Sequence, residues 1–337
     1  MKLISFVVCS YNAENWMRKC IDSLLAGGEE VEIIVVDDGS KDHTGEIADE
    51  YAKRYPTIVK AVHQENGGHG AGIMSGLKEA AGEYFKVVDS DDWLDRDSLL
   101  ELIQTIKDHN GEVDMYLSDY IYYTGDEKTS TRIGFSKVLK PSRITPFTDI
   151  KRFGLSEYIT IHSATYKTSL LREAKLDLPK KTFFEDNLFT YRTFPLIKKV
   201  CYLKMPLYYY LIGRPGQSVA KENALKRYKD YIKVAELAFT SYRIRDYKGT
   251  KGQYNTIFHQ LRMIICLGFV HVRQVKGKEA YNEFKEFKKR LKAYDEKQYR
   301  RFAYFCPATA MLMCPHAVSY VWSRLLYWIS HKVVTFN

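Results

Sequence analysis

The chain has 337 residues, 45% of them apolar and 27% charged, which leaves room for one large or two modest domains and excludes a disordered polymer. Lys and Arg exceed Asp and Glu by 51 − 41 = 10, half of it within residues 276–303, and this favours anionic partners. No zinc-finger, helix-turn-helix or RNP-like pattern accompanies the excess, and the six scattered cysteines form no C-x-x-C pair, so nucleic acid, a zinc site and a disulfide frame are excluded in favour of reduced thiols in a cytosolic protein.

Leu3–Cys9 is a β-rich run that passes directly into Ser10-Tyr11-Asn12 without a small-residue cleavage site. It therefore reads as a first strand and not as a signal peptide. Trp16, Cys20, Ile21 and Leu24 give Asn15–Leu25 a helical period. A second strand over Val31–Val36 ends in Asp37-Asp38-Gly39-Ser40 and is followed by a helix over Thr44–Arg54 and a third strand over Ile58–His63. The Gly-rich turn from Asn66 to Gly72 opens a helix that closes near Ala81-Gly82. A fourth strand, Tyr84–Val88, ends in Asp89-Ser90-Asp91-Asp92; a helix over Asp97–Asp108 and a fifth strand over Val113–Ser118 come next. Buried runs alternating with amphipathic helices predict a mostly parallel sheet covered on both faces.

Beyond residue 120 the pattern loosens. Strand-like pieces stand at 131–140 and 159–166, Phe183-Phe184-Glu185-Asp186-Asn187 opens a helix, and a strand pair is expected at Val200–Leu203 and Leu207–Ile212. From about residue 219 only helix is expected, which places a domain boundary near 218: residues 1–218 and 219–337. Phe302 to Ser323 carries no formal charge, but Pro307, Pro315 and His316 interrupt it, which argues against a spanning helix. Val318, Val321, Trp322, Leu325, Leu326 and Ile329 then recur at helical spacing. Such a helix has two uses: packing on the protein's own core or a second copy, and lying on a membrane surface.

Ligands of open α/β sheets bind beyond the carboxyl ends of the strands. Ser10–Asn12, Asp37–Ser40 and Asp89–Asp92 should therefore converge on one cleft. Alternate carboxylates at Asp89 and Asp91 suit a hard divalent cation, Mn²⁺ or Mg²⁺, shared with two phosphate oxygens. Acidic turns are also common helix caps, and Asp95 and Asp97 can serve that plainer purpose for the next helix.

The run ISFVVCSYNAE…VEIIVVDDGSKDHT…VHQENGGHGAGIMSGLKEAAGEYFKVVDSDDWL…FFEDNLFTYR resembles the family-2 glycosyltransferases of GT-A fold over about residues 3–218. The resemblance implies an α/β catalytic domain followed by a helical region, and an inverting transfer of sugar from a UDP-sugar to a glycan acceptor carried on lipid or protein. It implies that Tyr11 stacks on the base within the Ser10–Asn12 turn, that Asp38 binds the base imide with Glu14 nearby, and that Asp89 contacts ribose and metal, with Ser90 a further nucleotide-sugar contact. Asp91 would be the principal metal ligand, Asp186 the general base, and Glu185 the residue that holds the acceptor or positions that base.

Two departures stand out. Cys9 replaces a frequent Pro, and Ile73-Met74 replace a frequent Arg-Asn pair after the Gly turn, which points to altered donor recognition with Gly68, His69 and Lys86 as candidate donor contacts. Gly213–Ser218 resembles a late loop whose Arg214 would close over the diphosphate. His162, near the acceptor side, reads as a structural histidine, as a third metal ligand or as an acceptor contact. A nucleotidylyltransferase would want a Gly-rich basic run after the first strand, which Ser10–Trp16 lacks, and a non-catalytic scaffold would not need Asp89, Asp91 and Asp186 together. A cytoplasmic enzyme, or one held at the inner face of the plasma membrane or paired with a second copy through its helical tail, fits all of these features.

Overall fold

The computed structural model describes residues 2–154, 157–213, 217, 221–243, 249–305, 318, 320–325 and 328. Arg214 and most of its loop, Cys306, Cys314, and the tail positions Leu326 and Ile329 lie outside the described residues. The chain divides into two compact units, residues 1–152 with 159–212 and residues 153–158 with 213–337.

The first unit is built on a ten-stranded mixed sheet. β1 (Ile4–Ser10), β2 (Val31–Asp37), β3 (Val59–His63) and β4 (Tyr84–Asp89) pair in parallel in the order β3-β2-β1-β4. Their crossovers are α1 (Met17–Leu25), α2 (Thr44–Arg54) and α3 (His69–Glu79). β1 is buried on both faces because both are covered by helices, hence its unbroken apolar run. Phe6 and Val8 join a core with Cys20, Ile21 and Leu24 of α1. Val7 faces the other way, onto α3, where Gly76 permits the approach: a Cβ there would stand 2.3 Å from a Val7 methyl.

The acidic turn after β4 leads through the short β5 (Trp93–Leu94) into α4 (Arg96–His109). Asp95 caps that helix, its carboxylate accepting the Ser98 N–H at 2.9 Å. β6 (Met115–Tyr123) then carries β7 (Thr131–Ile133) on one edge, and β8 (Ile144–Pro146) follows. β9 (Ala164–Lys167) runs antiparallel between β4 and β6. After α5 (Thr168–Glu173) and α6 (Asp186–Thr193) comes β10 (Lys199–Leu211).

β10 corrects the expected strand pair. It is one strand, parallel to β6 along its whole length, with register shifts on either side of Pro206. Proline lacks an N–H and so reads in sequence as a break, but a bulge accommodates it without ending the strand. The expected strand at 159–166 is shorter for a different reason: Ile161–Ser163 forms a 3-10 turn that aims His162 beneath the strand ends.

Among its described residues the second unit holds helices and no strand: α7 (Lys221–Lys226), α8 (Tyr228–Ser241), α9 (Lys251–Val272), α10 (Lys278–Tyr294) and α11 (Glu296–Phe305), with residues 320–325 also helical. Phe269 of α9 meets Phe284 and Phe287 of α10 at 5.1 and 5.4 Å between ring centroids. Among the described residues no helix is long and apolar enough to cross a membrane.

Candidate active site

The turns after β1, β2 and β3 are tied to one another at the carboxyl ends of their strands. Asn12, with φ 50°, donates its N–H to Ser40 Oγ at 3.0 Å and accepts the Lys41 N–H on its side chain at 2.9 Å. Glu14 accepts the His43 N–H at 3.1 Å and lies 2.7 Å from His43 Nδ1, contacts that lower its proton affinity. Between them Tyr11 is left 50% exposed, a free ring face at the mouth of the turn. Ser10 is buried, and its hydroxyl has no partner.

Asp38 is placed differently from a residue facing an open cleft. It is 4% exposed, and its carboxylate accepts the N–H groups of Gly67 and Gly68 at 2.8 and 2.7 Å and the Gln64 amide at 2.6 Å. A carboxylate gripping two successive backbone amides is a geometry-setting contact. It shapes the glycine turn that opens α3.

The Asp89–Asp92 turn sits next to His69 and His162. Asp89 Oδ1 lies 3.0 Å from His69 Nε2, and Asp89 Oδ2 lies 3.4 Å from His162 Nε2. Burial pushes the Asp89 carboxyl up, but the two histidines prevail and hold it well below the usual carboxylate range. Asp92 is buried and accepts the Tyr208 hydroxyl at 2.6 Å and the Leu211 N–H at 2.8 Å. Its proton affinity is raised, first by burial and then by Asp91 and Asp89.

Asp89, Asp92 and His162 each offer a ligand atom within 4.8 Å of the others, so this trio could hold a metal ion. The concentration of negative charge from three neighbouring aspartates is what a divalent cation would relieve, and the oxygen-rich donor set suits a hard ion. Asp91 is partly exposed on the same turn but is not one of the three. Ser90 between them is buried.

On the facing side, Glu185 and Asp186 open α6. Phe184 just before them holds φ at 68°, a left-handed conformation that costs a bulky residue about 1–2 kcal/mol. Glu185 is 2% exposed and points inward, its Oε1 2.8 Å from His69 Nδ1. Asp186 is the more open of the two, with Oδ1 accepting from the Asn187 amide at 3.1 Å. Burial, and then the charge of Glu185, lift its pKa to about 6 against the opposing pull of His162 and His69.

Lys86, by contrast, does not reach a cleft. It is fully buried, its ammonium donating to the backbone carbonyls of His162 at 2.7 Å and Ala164 at 3.3 Å. Burial alone drops its pKa to about 7.

Three features were not assigned from sequence: Asp92 as a member of the trio with Asp89 and His162, the contact of His162 with Asp89, and the layer of Tyr208 and Tyr210 beneath them. His162 stacks on Tyr210 with ring centroids 4.7 Å apart. The tyrosines could have been found, since they alternate along one strand and so share a face. The histidine contacts could not, because no local signal links positions so far apart.

The family model for glycosyl transferase family 2 matches residues 5–175. EpsH of Bacillus subtilis (strain 168) is 31% identical over 217 residues, 62% of this chain and 60% of its own. Glycosyltransferase GlyA of Streptococcus pneumoniae serotype 4 is 32% identical over 228 residues, 64% of this chain and 31% of its own. The chain thus spans less than two thirds of the length of either relative. Among solved structures, Staphylococcus aureus TarS 1–349 in complex with UDP aligns with a TM-score of 0.71 at 19% identity, covering 98% of this chain and 91% of that one. The same fragment in complex with UDP-GlcNAc aligns with a TM-score of 0.69 at 22% identity. The likeness is one of fold.

Proposed function

Because the chain belongs to glycosyl transferase family 2, we propose that it moves a sugar from a nucleotide-diphosphate donor to a glycan hydroxyl with inversion at the anomeric carbon. The observation that carries this reading is the meeting of two unlike carboxylates in one enclosure: Asp89 held strongly ionised by histidines, and Asp186 raised to about 6. Carboxylates pushed apart in this way suit separate tasks. Asp186 takes the proton of the acceptor hydroxyl as that oxygen bonds to the anomeric carbon. The bond from that carbon to the diphosphate breaks, and the diphosphate departs on the opposite face. An α-linked donor gives a β-glycoside.

Tyr11 stacks on the base, while Asp38 and Glu14 keep the base-binding turns in register. A Mn²⁺ or Mg²⁺ ion held by Asp89 and Asp91, with Asp92 and His162 beside it, would neutralise the leaving diphosphate. UDP is the favoured carrier, a choice supported by the UDP and UDP-GlcNAc complexes of TarS. The acceptor is a lipid- or protein-linked glycan, a class supported by fold analogy. Residues 1–218 form the transferase domain in this reading. Residues 219–337 form an association region that holds the enzyme at the inner face of the plasma membrane.

The test is a panel of UDP- and GDP-sugars with Mn²⁺, followed by thermal shift and by release of nucleoside diphosphate. One donor should stabilise the protein by about 2.7 kcal/mol at a hundred times its dissociation constant and be turned over. Binding without turnover would make the chain a non-catalytic subunit of the same fold. Turnover by Asp91→Asn that persists in EDTA would remove the metal from the reading.

A further inference from the structure

We propose that His69 is a positioning residue that ties the Asp89 turn to the helix carrying Asp186, and that it makes no contact with the donor. The proposal rests on the reading of Asp186 as the base.

Both ring nitrogens are occupied. Nδ1 lies 2.8 Å from Glu185 Oε1, and Nε2 lies 3.0 Å from Asp89 Oδ1. An imidazole has two nitrogens and no third donor, so a ring flanked in this way has nothing left for a phosphate or a sugar. Glu185, at 2% exposure, is equally unable to meet an acceptor. Its backbone carbonyl accepts the N–H groups of Leu188 and Phe189 at 2.8 and 3.1 Å, which makes it the anchor of the first turn of α6. Fixing the Glu185 side chain therefore fixes the direction in which Asp186 leaves that turn.

The backbone around His69 is shaped for this contact. Gly68 holds φ at 85°, and a Cβ there would stand 2.9 Å from the backbone nitrogen of Lys181. A Cβ on Gly70 would stand 2.8 Å from Glu185 Cγ and 3.1 Å from Leu178 Cβ. Gly67 accepts the Lys181 N–H at 2.7 Å. Three glycines thus let the segment that ends in Glu185 close directly against the start of α3. The glycine turn serves the acceptor side as well as the donor side, and His69 is the side chain that spans the two.

Removing the imidazole would leave Glu185 buried with its carboxylate lacking that partner, and would free the first turn of α6 to shift. A displacement of about 1 Å at a reacting group can cost on the order of 10²-fold in rate. The test compares His69→Ala, His69→Asn and His69→Gln in the full chain, with the donor found in the panel. The Asn amide nitrogen falls where Nδ1 stands and keeps the bond to Glu185; the Gln amide nitrogen falls where Nε2 stands and keeps the bond to Asp89.

His69→Ala should lower kcat about 10²-fold and change the KM and Kd of the donor less, since Asp89 keeps His162 beside it while the contact to Glu185 is lost. His69→Asn should recover more of kcat than His69→Gln. Near-UV circular dichroism identifies any variant that misfolds, and the Asn and Gln variants keep the comparison intact if Ala does. A tenfold rise in donor KM with kcat unchanged would make His69 a donor contact and overturn the proposal. Loss of turnover in Asp186→Asn with unchanged kcat in all three His69 variants would overturn it while sparing the base. Full turnover by Asp186→Asn would remove the base, and this proposal with it.

Discussion

Asp89 and Asp186 are both enclosed, and burial raises the proton affinity of each, yet they end on opposite sides of the ordinary value. The difference lies in the neighbours. Two imidazoles touch Asp89, while Asp186 follows Glu185 in sequence and feels its charge. A base with a pKa of about 6 is protonated, and useless, below that pH. Turnover should therefore rise tenfold per pH unit below about 6 and level off above it. Asp186→Asn should lower kcat by about 10²–10⁴-fold, the usual worth of a positioned base, with donor affinity unchanged. The N-cap of α6 is Glu185, and Asp186 stands at the first helical position, so near-wild-type turnover would reduce Asp186 to a residue whose charge favours the helix N-terminus. Lys86 yields a second prediction. Its pKa falls from 10.5 to about 7 on folding, so between those values the unfolded chain binds one proton more than the native one. Stability then increases with pH across that window by about 1.4 kcal/mol per unit and is lost again as pH falls towards 7. Urea denaturation at pH 7.5 and 9.5 should show the stability of wild type gaining on that of Lys86→Met; parallel behaviour of the two would mean that the ammonium is solvated.

At the level of elements, the glycines of α3 set how closely strands and helices meet. Gly76 lies over Val7, whose branched side chain has little freedom to turn aside. Gly76→Ala should cost about 1–3 kcal/mol through overpacking, read as a lower urea midpoint with unchanged slope; an unchanged midpoint would mean that β1 and α3 slide apart without penalty. Apart from the two-residue β5, the alternation of β1 to α4 was legible in sequence to within a residue or two, because each long strand is a continuous apolar run between turns rich in Gly or Asp. Thr44–Arg54 is the same helix in sequence and structure. β5 and the elements after α4 were less legible for physical reasons. β5 has two residues and β8 three, too short for any period to show. Pro206 divided a strand that its bulge keeps whole. The site followed the same rule. Contiguous turns could be read, but the bond between His69 and Glu185 spans 116 positions and has no local signature. Lys86 reads in sequence as a strand residue able to reach a ligand, but its ammonium donates instead to the carbonyls of His162 and Ala164.

At the scale of the whole molecule, the two units differ in what they leave at their surfaces. The helical unit carries exposed Lys276, Lys278, Lys285 and Lys297, and its last described helix is turned with a small polar residue inward. Ser323 is fully buried, and the Tyr320 ring lies 5.6 Å from the Arg273 guanidinium. The apolar positions face out instead: Val318 is 53% exposed, Val321 68% and Leu325 41%. A helix packed by its polar side, in a unit that also carries a lysine-rich stretch, suits an anionic bilayer: on such a surface the apolar side chains would enter the acyl boundary and each nearby lysine would add about 1 kcal/mol. The full chain should therefore sediment with vesicles containing phosphatidylglycerol, and should not do so with vesicles of phosphatidylcholine alone. Because the attraction between lysines and lipid is screened over about 8–10 Å at physiological salt, raising NaCl to 0.5 M should release most of the bound protein. Val321→Glu combined with Leu325→Glu adds two negative charges to exposed positions, so it should abolish vesicle binding while leaving the unfolding midpoint and donor turnover unchanged. If the double variant still binds vesicles, the helix face has no part in it. If wild type ignores vesicles and its sedimentation coefficient falls on making the double variant, the face belongs to a second copy of the chain and the lysines serve some other anion.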